Sequence, residues 1–271
     1  MKVFISADME GICGIVSGRQ TDSNDKEYPR GQKLMTAEVN AVIAGALRGG
    51  ATEILVNDSH SSMRNLLIEE LNPTARLISG SSKPLSMMQG IDATCQAVFL
   101  VGYHAQAGTE EAILDHTFSG RIYQVAVNDI PLGETGLNAA LAGYFRVPVC
   151  LVTGDKAVAE EAQRLLGPIA VVAVKEAYSR NAAKCLPLQE VYALVGEAAQ
   201  RALAKPGKPF VLPTPYKLTV DFARSSCADM AGLIPGSQRQ GGRRVEFHHD
   251  DYLTLYKAWR AMVALATLDE Q

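Results

Sequence analysis

Short apolar runs and longer amphipathic stretches take turns along the first two-thirds of the chain. Residues 3–9, 53–57, 75–79, 97–103, 123–127 and 149–153 are each rich in Val, Ile and Leu and short enough to be buried strands. Between them, residues 35–48 carry apolar positions at helical spacing and stop at Gly49-Gly50, a pair suited to ending a helix. Residues 132–145 and 156–166 also predict helices, the second opened by Asp155 as its cap. Strand–helix alternation of this kind predicts an α/β fold, a mostly parallel sheet flanked by helices on both faces.

The last third has a different rhythm. Residues 188–204 predict a long helix, and the segment 205–216 that follows holds four prolines. Two near-alternating stretches, 217–223 and 243–248, then lead into a closing helix over 251–268. This order predicts a smaller C-terminal α+β lobe. The expected division is a catalytic α/β domain over 1–168 and the lobe over 169–271, parted near Gly167-Pro168, with the lobe a candidate for oligomer contacts. The chain shows no internal repeat and no low-complexity segment.

Composition narrows the function classes. The 271 residues are 47% hydrophobic and 20% charged, with a formal net charge of −3. The densest basic run, Arg239-Gln240-Gly241-Gly242-Arg243-Arg244, reads as a turn, so a nucleic-acid partner is not expected. No apolar run approaches the roughly 18 residues of a membrane span, and polar Ser6 and Asp8 come too early for a secretory signal. The five cysteines, Cys13, Cys95, Cys150, Cys185 and Cys227, are widely spaced and form no C-x-x-C. They fit reduced thiols better than a disulfide framework, and a cytoplasmic location without membrane partners is expected.

Candidate chemistry gathers where strands are expected to end. Asp8 and Glu10 close the first strand, two residues apart, so both carboxylates share a side if the chain stays extended. Gly11 follows, as at a sharp turn. The second strand runs into Asn57-Asp58-Ser59-His60 and another delivers His104, while Glu134 opens a helix. In open α/β sheets the ligand crevice lies beyond the carboxyl ends of strands, so these side chains can converge. Two histidines and three carboxylates packed together are costly without a cation. Zinc suits this donor set, with manganese or cobalt as alternatives. A single ion with five ligands would leave little room for substrate. A carboxylate shared between two ions would leave each an open position, as in two-metal hydrolases. Each element alone also has a plainer explanation, as a turn, a hydrogen-bonded boundary histidine or a carboxylate complementing a helix dipole.

Ser6-Ala7-Asp8-Met9-Glu10-Gly11 resembles the S-x-D-x-E-G signature of bacterial zinc-dependent D-aminopeptidases of the kind found in dipeptide-transport operons. The likeness continues through Val56-Asn57-Asp58-Ser59-His60, Leu77-Ile78-Ser79-Gly80, Gly102-Tyr103-His104-Ala105 and Gly133-Glu134-Thr135-Gly136-Leu137-Asn138-Ala139, and thins after about residue 190. The resemblance implies two zinc ions bridged by Asp8, with Glu10, His60, His104 and Glu134 as the other ligands. It implies a catalytic role for His116, in Ile113-Leu114-Asp115-His116-Thr117. It further implies a ring-shaped decamer and removal of N-terminal D-residues, D-alanine above all, from small peptides. For His116, proton donation or transition-state stabilisation suits a site with two metals better than attack as a nucleophile. The competing readings are a dimetal amidohydrolase without D-selectivity and a non-catalytic peptide- or metal-binding module of a transport system.

Other conspicuous residues are expected to be structural. His248 and His249 are adjacent on a strand and point to opposite faces, while Asp250-Asp251 fits a helix cap. Cys13 reads as a small buried residue, and Gly11, Gly14 and Gly18 lack dinucleotide-binding spacing. Tyr252 and Trp259 are expected in the core or at a subunit contact.

Overall fold

The computed structural model describes residues 1–269. In chain order its elements are β1 (Lys2–Ala7), α1 (Tyr28–Arg48), β2 (Glu53–Asp58), β3 (Ala75–Ile78), β4 (Ala97–Tyr103), β5 (Ile122–Val127), β6 (Ile130–Pro131), α2 (Glu134–Tyr144), β7 (Val149–Asp155), α3 (Lys156–Leu166), β8 (Ala170–Ser179), β9 (Ala182–Cys185), α4 (Leu188–Ala204), β10 (Tyr216–Phe222), α5 (Ser225–Ala231), β11 (Ser237–Arg239), β12 (Arg244–His249) and α6 (Tyr252–Ala266), with three short 3₁₀ turns. None of the described helices is long and apolar enough to cross a membrane.

Seven strands form the main sheet in the order β3-β2-β1-β4-β7-β8-β9. Every pairing in it is parallel except that of β9 on the edge. The period of two buries both faces. Val3, Ile5 and Ala7 enter the core shared with α1 and α4, whereas Phe4 joins the core on the other side. Because β1 has β2 on one side and β4 on the other, the chain winds away in two directions from β1. The crevice expected at such a switch point opens beyond the carboxyl ends of β1, β2 and β4.

The second sheet, β11-β12-β10-β5-β6, is antiparallel and packs with α5 and α6 over the second face. Sheet membership crosses residue 168 in both directions. β5 pairs with β6 on one side and with distant β10 on the other, not with β4, while β8 extends the parallel sheet beside β7. The reason is legible in the side chains of β5, where Tyr123 and Gln124 lie exposed beside buried Ile122 and Val125. A strand with one wet face suits an antiparallel sheet, whereas β4 is buried at all seven positions. Helix α1 starts at Tyr28, seven residues before the expected start at 35, with Pro29 in its first turn.

Candidate metal centre

Two glycines let the loop after β1 fold down onto the end of β4. A Cβ at Gly11 would stand 1.9 Å from the Tyr103 carbonyl oxygen, and one at Gly102, whose φ is +70°, would stand 2.3 Å from that of Asp8. The two segments are joined by backbone bonds from Asp8 N to Val101 O and from Gly11 N to Gly102 O, each 2.8 Å. Lys175 of β8, buried to 2% exposure, secures the same loop from below by donating to the carbonyls of Ile12 at 2.8 Å and Ile15 at 2.6 Å, and to that of Glu10.

His60 is positioned differently. Asp58 at the end of β2 accepts hydrogen bonds from the backbone N–H of Asn65 and Leu66 and from the Asn65 amide. Asn65 in turn donates to the His60 carbonyl at 2.7 Å. The loop that carries His60 is thereby closed on itself.

The five expected ligand residues do converge, and all are buried. One oxygen of Asp8 lies 3.5 Å from His60 Nδ1 and the other 3.5 Å from His104 Nε2. Glu10 adds an oxygen 2.9 Å from His60 Nδ1, and Glu134 one 3.4 Å from His104 Nε2. The result is two adjoining clusters, Glu10–His60 and Glu134–His104, sharing Asp8. His116 stacks on His104 with ring centroids 4.1 Å apart, and its Nε2 is 3.7 Å from Glu134. His104, His116 and Glu134 also fall close enough together to hold a cation between them.

The histidine tautomers strengthen the case for a cation. Each ring donates from one nitrogen to a backbone carbonyl: His60 Nε2 to Thr21 at 2.9 Å, His104 Nδ1 to Ala105 at 3.0 Å, His116 Nδ1 to Leu114 at 2.9 Å. The remaining nitrogens of His60 and His104 therefore face carboxylate oxygens at close range, where they are stable only with a proton or a metal between them. Asp8 Oδ2, Glu10 Oε2 and His104 Nε2 are buried and have no hydrogen-bond partner of good geometry. Two ligands each about 2.1 Å from a tetrahedral zinc would stand roughly 3.4 Å apart. The observed nitrogen–oxygen separations of 2.9–3.5 Å match that spacing. The donor set fits divalent metal.

Without metal, the charges are in conflict. Burial and the Glu10 charge push the Asp8 carboxyl up to about 7. Burial, the largest single influence, would lower His60 and His104. The surrounding carboxylates together outweigh it, chiefly Glu10 at the first and Glu134 at the second, with Asp8 adding to both, and each pKa ends well above its usual value. His116 goes the other way, lowered by burial and by neighbouring His104.

A polar ladder braces the floor. Ser6 Oγ bonds with Ser59 Oγ and Tyr103 OH at 2.7 Å each, Asn138 Nδ2 donates to Tyr103 OH at 2.9 Å, and Tyr256 OH donates to Asn138 Oδ1 at 2.9 Å. Above it lies a cavity of about 530 Å³, lined by Asp8, His60, His116, Glu134 and, from α6, Arg260 among others. Sequence reasoning missed Lys175 and Arg260. For Lys175 a signal existed, a lone lysine after the apolar run 170–174; for Arg260, on an amphipathic helix, there was none. The residues expected to be structural are so: Asp251 caps α6 through Thr254 N at 2.8 Å, His248 and His249 are exposed, and Cys13, Tyr252 and Trp259 are buried.

Residues 1–261 match the peptidase M55 family, described as D-aminopeptidase. The chain is 42% identical over 269 residues to a D-aminopeptidase of Bacillus subtilis (strain 168), covering 98% of both chains. Its fold is similar to that of a solved structure from Bacillus subtilis, the Zn-dependent D-aminopeptidase DppA, described as a self-compartmentalizing protease, with a TM-score of 0.96, 41% identity and 98% of each chain covered. With the family model matched over residues 1–261 and a relative 42% identical along nearly the whole length, the chain belongs to the peptidase M55 family of D-aminopeptidases.

Proposed function

We propose that the chain is a zinc-dependent aminopeptidase that removes N-terminal D-residues, D-alanine in particular, from small peptides. The observation that carries the two-ion reading is the placement of Asp8, whose two oxygens face two different histidines at equal distance. Asp8 would be shared by two ions, with Glu10 and His60 holding one and His104 and Glu134 the other. When bound, a pair of zinc ions supplies an acidified water and a polarised carbonyl. In this reading the free N-terminal amine and the scissile bond of the substrate lie at this cluster, where open metal positions would receive them. His116 lines the cavity with Nδ1–H committed to the Leu114 carbonyl, so its Nε2 is the atom that takes and returns a proton. Because Glu134 already accepts from Phe118 N at 2.6 Å, its orientation is set before substrate arrives.

Preference for the D-configuration and zinc as the metal are supported by the likeness to the Zn-dependent D-aminopeptidase. The same likeness, to a self-compartmentalizing protease, supports a decameric ring of this chain enclosing the sites. A cytoplasmic setting accords with five cysteines that form no disulfide among the described residues. The deciding experiment is hydrolysis of paired D-alanyl and L-alanyl dipeptides by zinc-loaded protein. Faster release of D-alanine is expected. Equal rates would leave a dimetal amidohydrolase without D-selectivity, and no hydrolysis of either would leave a binding module.

A further inference from the structure

The cavity beside the metal centre contains a cation that the chemistry above does not use. Arg260 is the one arginine or lysine lining it among the described residues. Its Nε is shielded from solvent and meets no hydrogen-bond acceptor among the described residues. The guanidinium lies 5.1 Å above the Phe118 ring, a contact that orients its plane but satisfies none of its fork of donors. The carboxylate whose charge bears on it is Glu134, and that carboxylate is engaged with Phe118 N and His104. A partly buried guanidinium without an anion is costly unless a ligand brings one. Its planar fork matches a carboxylate with two parallel hydrogen bonds.

The cavity thus joins the metal-ligand cluster, where Asp8 and Glu134 line it, to a basic side chain from α6, Arg260. A zwitterion fits such a space, with its amine toward the metal centre and its carboxylate toward α6. The two helices that border it are fixed to each other. Tyr252 OH donates to the Leu137 carbonyl at 3.1 Å and Tyr256 OH to Asn138, so the helix carrying Arg260 is tied to α2, the helix that carries Glu134.

We propose that Arg260 binds the C-terminal carboxylate of the substrate, which makes the preferred substrates short peptides with a free carboxylate within one cavity length of the scissile bond. This rests on the aminopeptidase reading, because that reading places the amine and the scissile bond at the metals. Arg260 is a specificity residue and takes no part in bond cleavage.

The test uses zinc-loaded protein and a non-hydrolysable phosphinic analogue of alanyl-alanine, as the free acid and as its C-terminal amide, with affinities read by calorimetry. The native protein is expected to bind the acid tighter by roughly 10–100-fold. Arg260→Met is expected to remove that preference while leaving affinity for the amide within about three-fold, and Arg260→Lys to restore part of it. In hydrolysis of D-alanyl-D-alanine the Met variant should lose kcat/KM mainly through KM. Equal affinity of the native protein for acid and amide, or equal loss of both in the Met variant, overturns the proposal. An acid preference in a protein that cleaves no D-alanyl peptide supports Arg260 as a carboxylate site and counts against the aminopeptidase reading instead.

Discussion

His60 and His104 face the same carboxylate but are held by different means. His104 follows β4 without an intervening residue, in the middle of the parallel sheet, and its ring is sealed by His116 at 1% exposure. His60 stands two residues past β2 on a loop that depends on Asp58 and Asn65, and its Nε2 relies on the Thr21 carbonyl from a distant turn. It also borders the cavity directly. One half of the centre is thus built into the sheet and the other is laid over it.

The largest effect should come from the residue common to both halves. Asp8→Ala is expected to empty both metal sites and lower kcat by more than roughly 10³-fold. Elemental analysis that finds full zinc in this variant would remove Asp8 from the bridging position. Next comes the sheet-built half. His116→Ala should keep its zinc yet lose roughly 10²–10⁴-fold in kcat, as for a proton-transfer group. Loss of zinc would instead make His116 a ligand beside His104 and Glu134, whose grouping allows it.

The two histidines themselves give the sharpest contrast. His60→Ala and His104→Ala should each weaken zinc binding, but added zinc should restore activity better in the His60 variant, by roughly 10-fold or more. The reason is that the His104 ring fills buried space beneath His116, so its removal also leaves a hole. Equal rescue in zinc titrations of activity would erase the distinction between the halves.

The smallest effect is on stability. In the metal-free protein the pKa of both histidines is raised above 6.5. The stabilisation that this gives is complete below 6.5 and is lost as pH rises through the folded values. Asp8, raised to about 7, retains its proton in the fold when the unfolded chain has lost it, and so works in the same direction. Zinc bound there would replace those protons, so the rise in Tm on zinc binding should be larger at about pH 8 than at about pH 6. Thermal melts with a larger rise at the lower pH would contradict the arrangement.

How far the sequence reached differs between these halves too. β1, β2 and β4 and the ligand-bearing residues after them stand out as apolar runs ending in acid or histidine, because a strand buried on both faces can carry polar groups only at its end. The S-x-D-x-E-G resemblance then joined residues that periodicity leaves separate. Strand β8 was missed, and with it Lys175, which holds the β1 loop through three carbonyls. Backbone carbonyl partners leave no mark in a sequence. Nor does one show that β5 leaves the parallel sheet of β4 to pair with distant β10, since strand pairing depends on which faces remain to be covered.

By itself, the sequence determined the alternating α/β body, the ligand-type residues at its strand ends and the caps of its helices, since these follow from local periodicity and from side-chain chemistry. Tertiary structure alone decided that Asp8 presents one oxygen to each histidine, that three carbonyls choose the histidine tautomers, and that Arg260 shares a cavity with the metal centre. Those are relations between residues far apart in the chain, and they come into being only when packed helices and paired strands bring the residues within a few ångströms of one another.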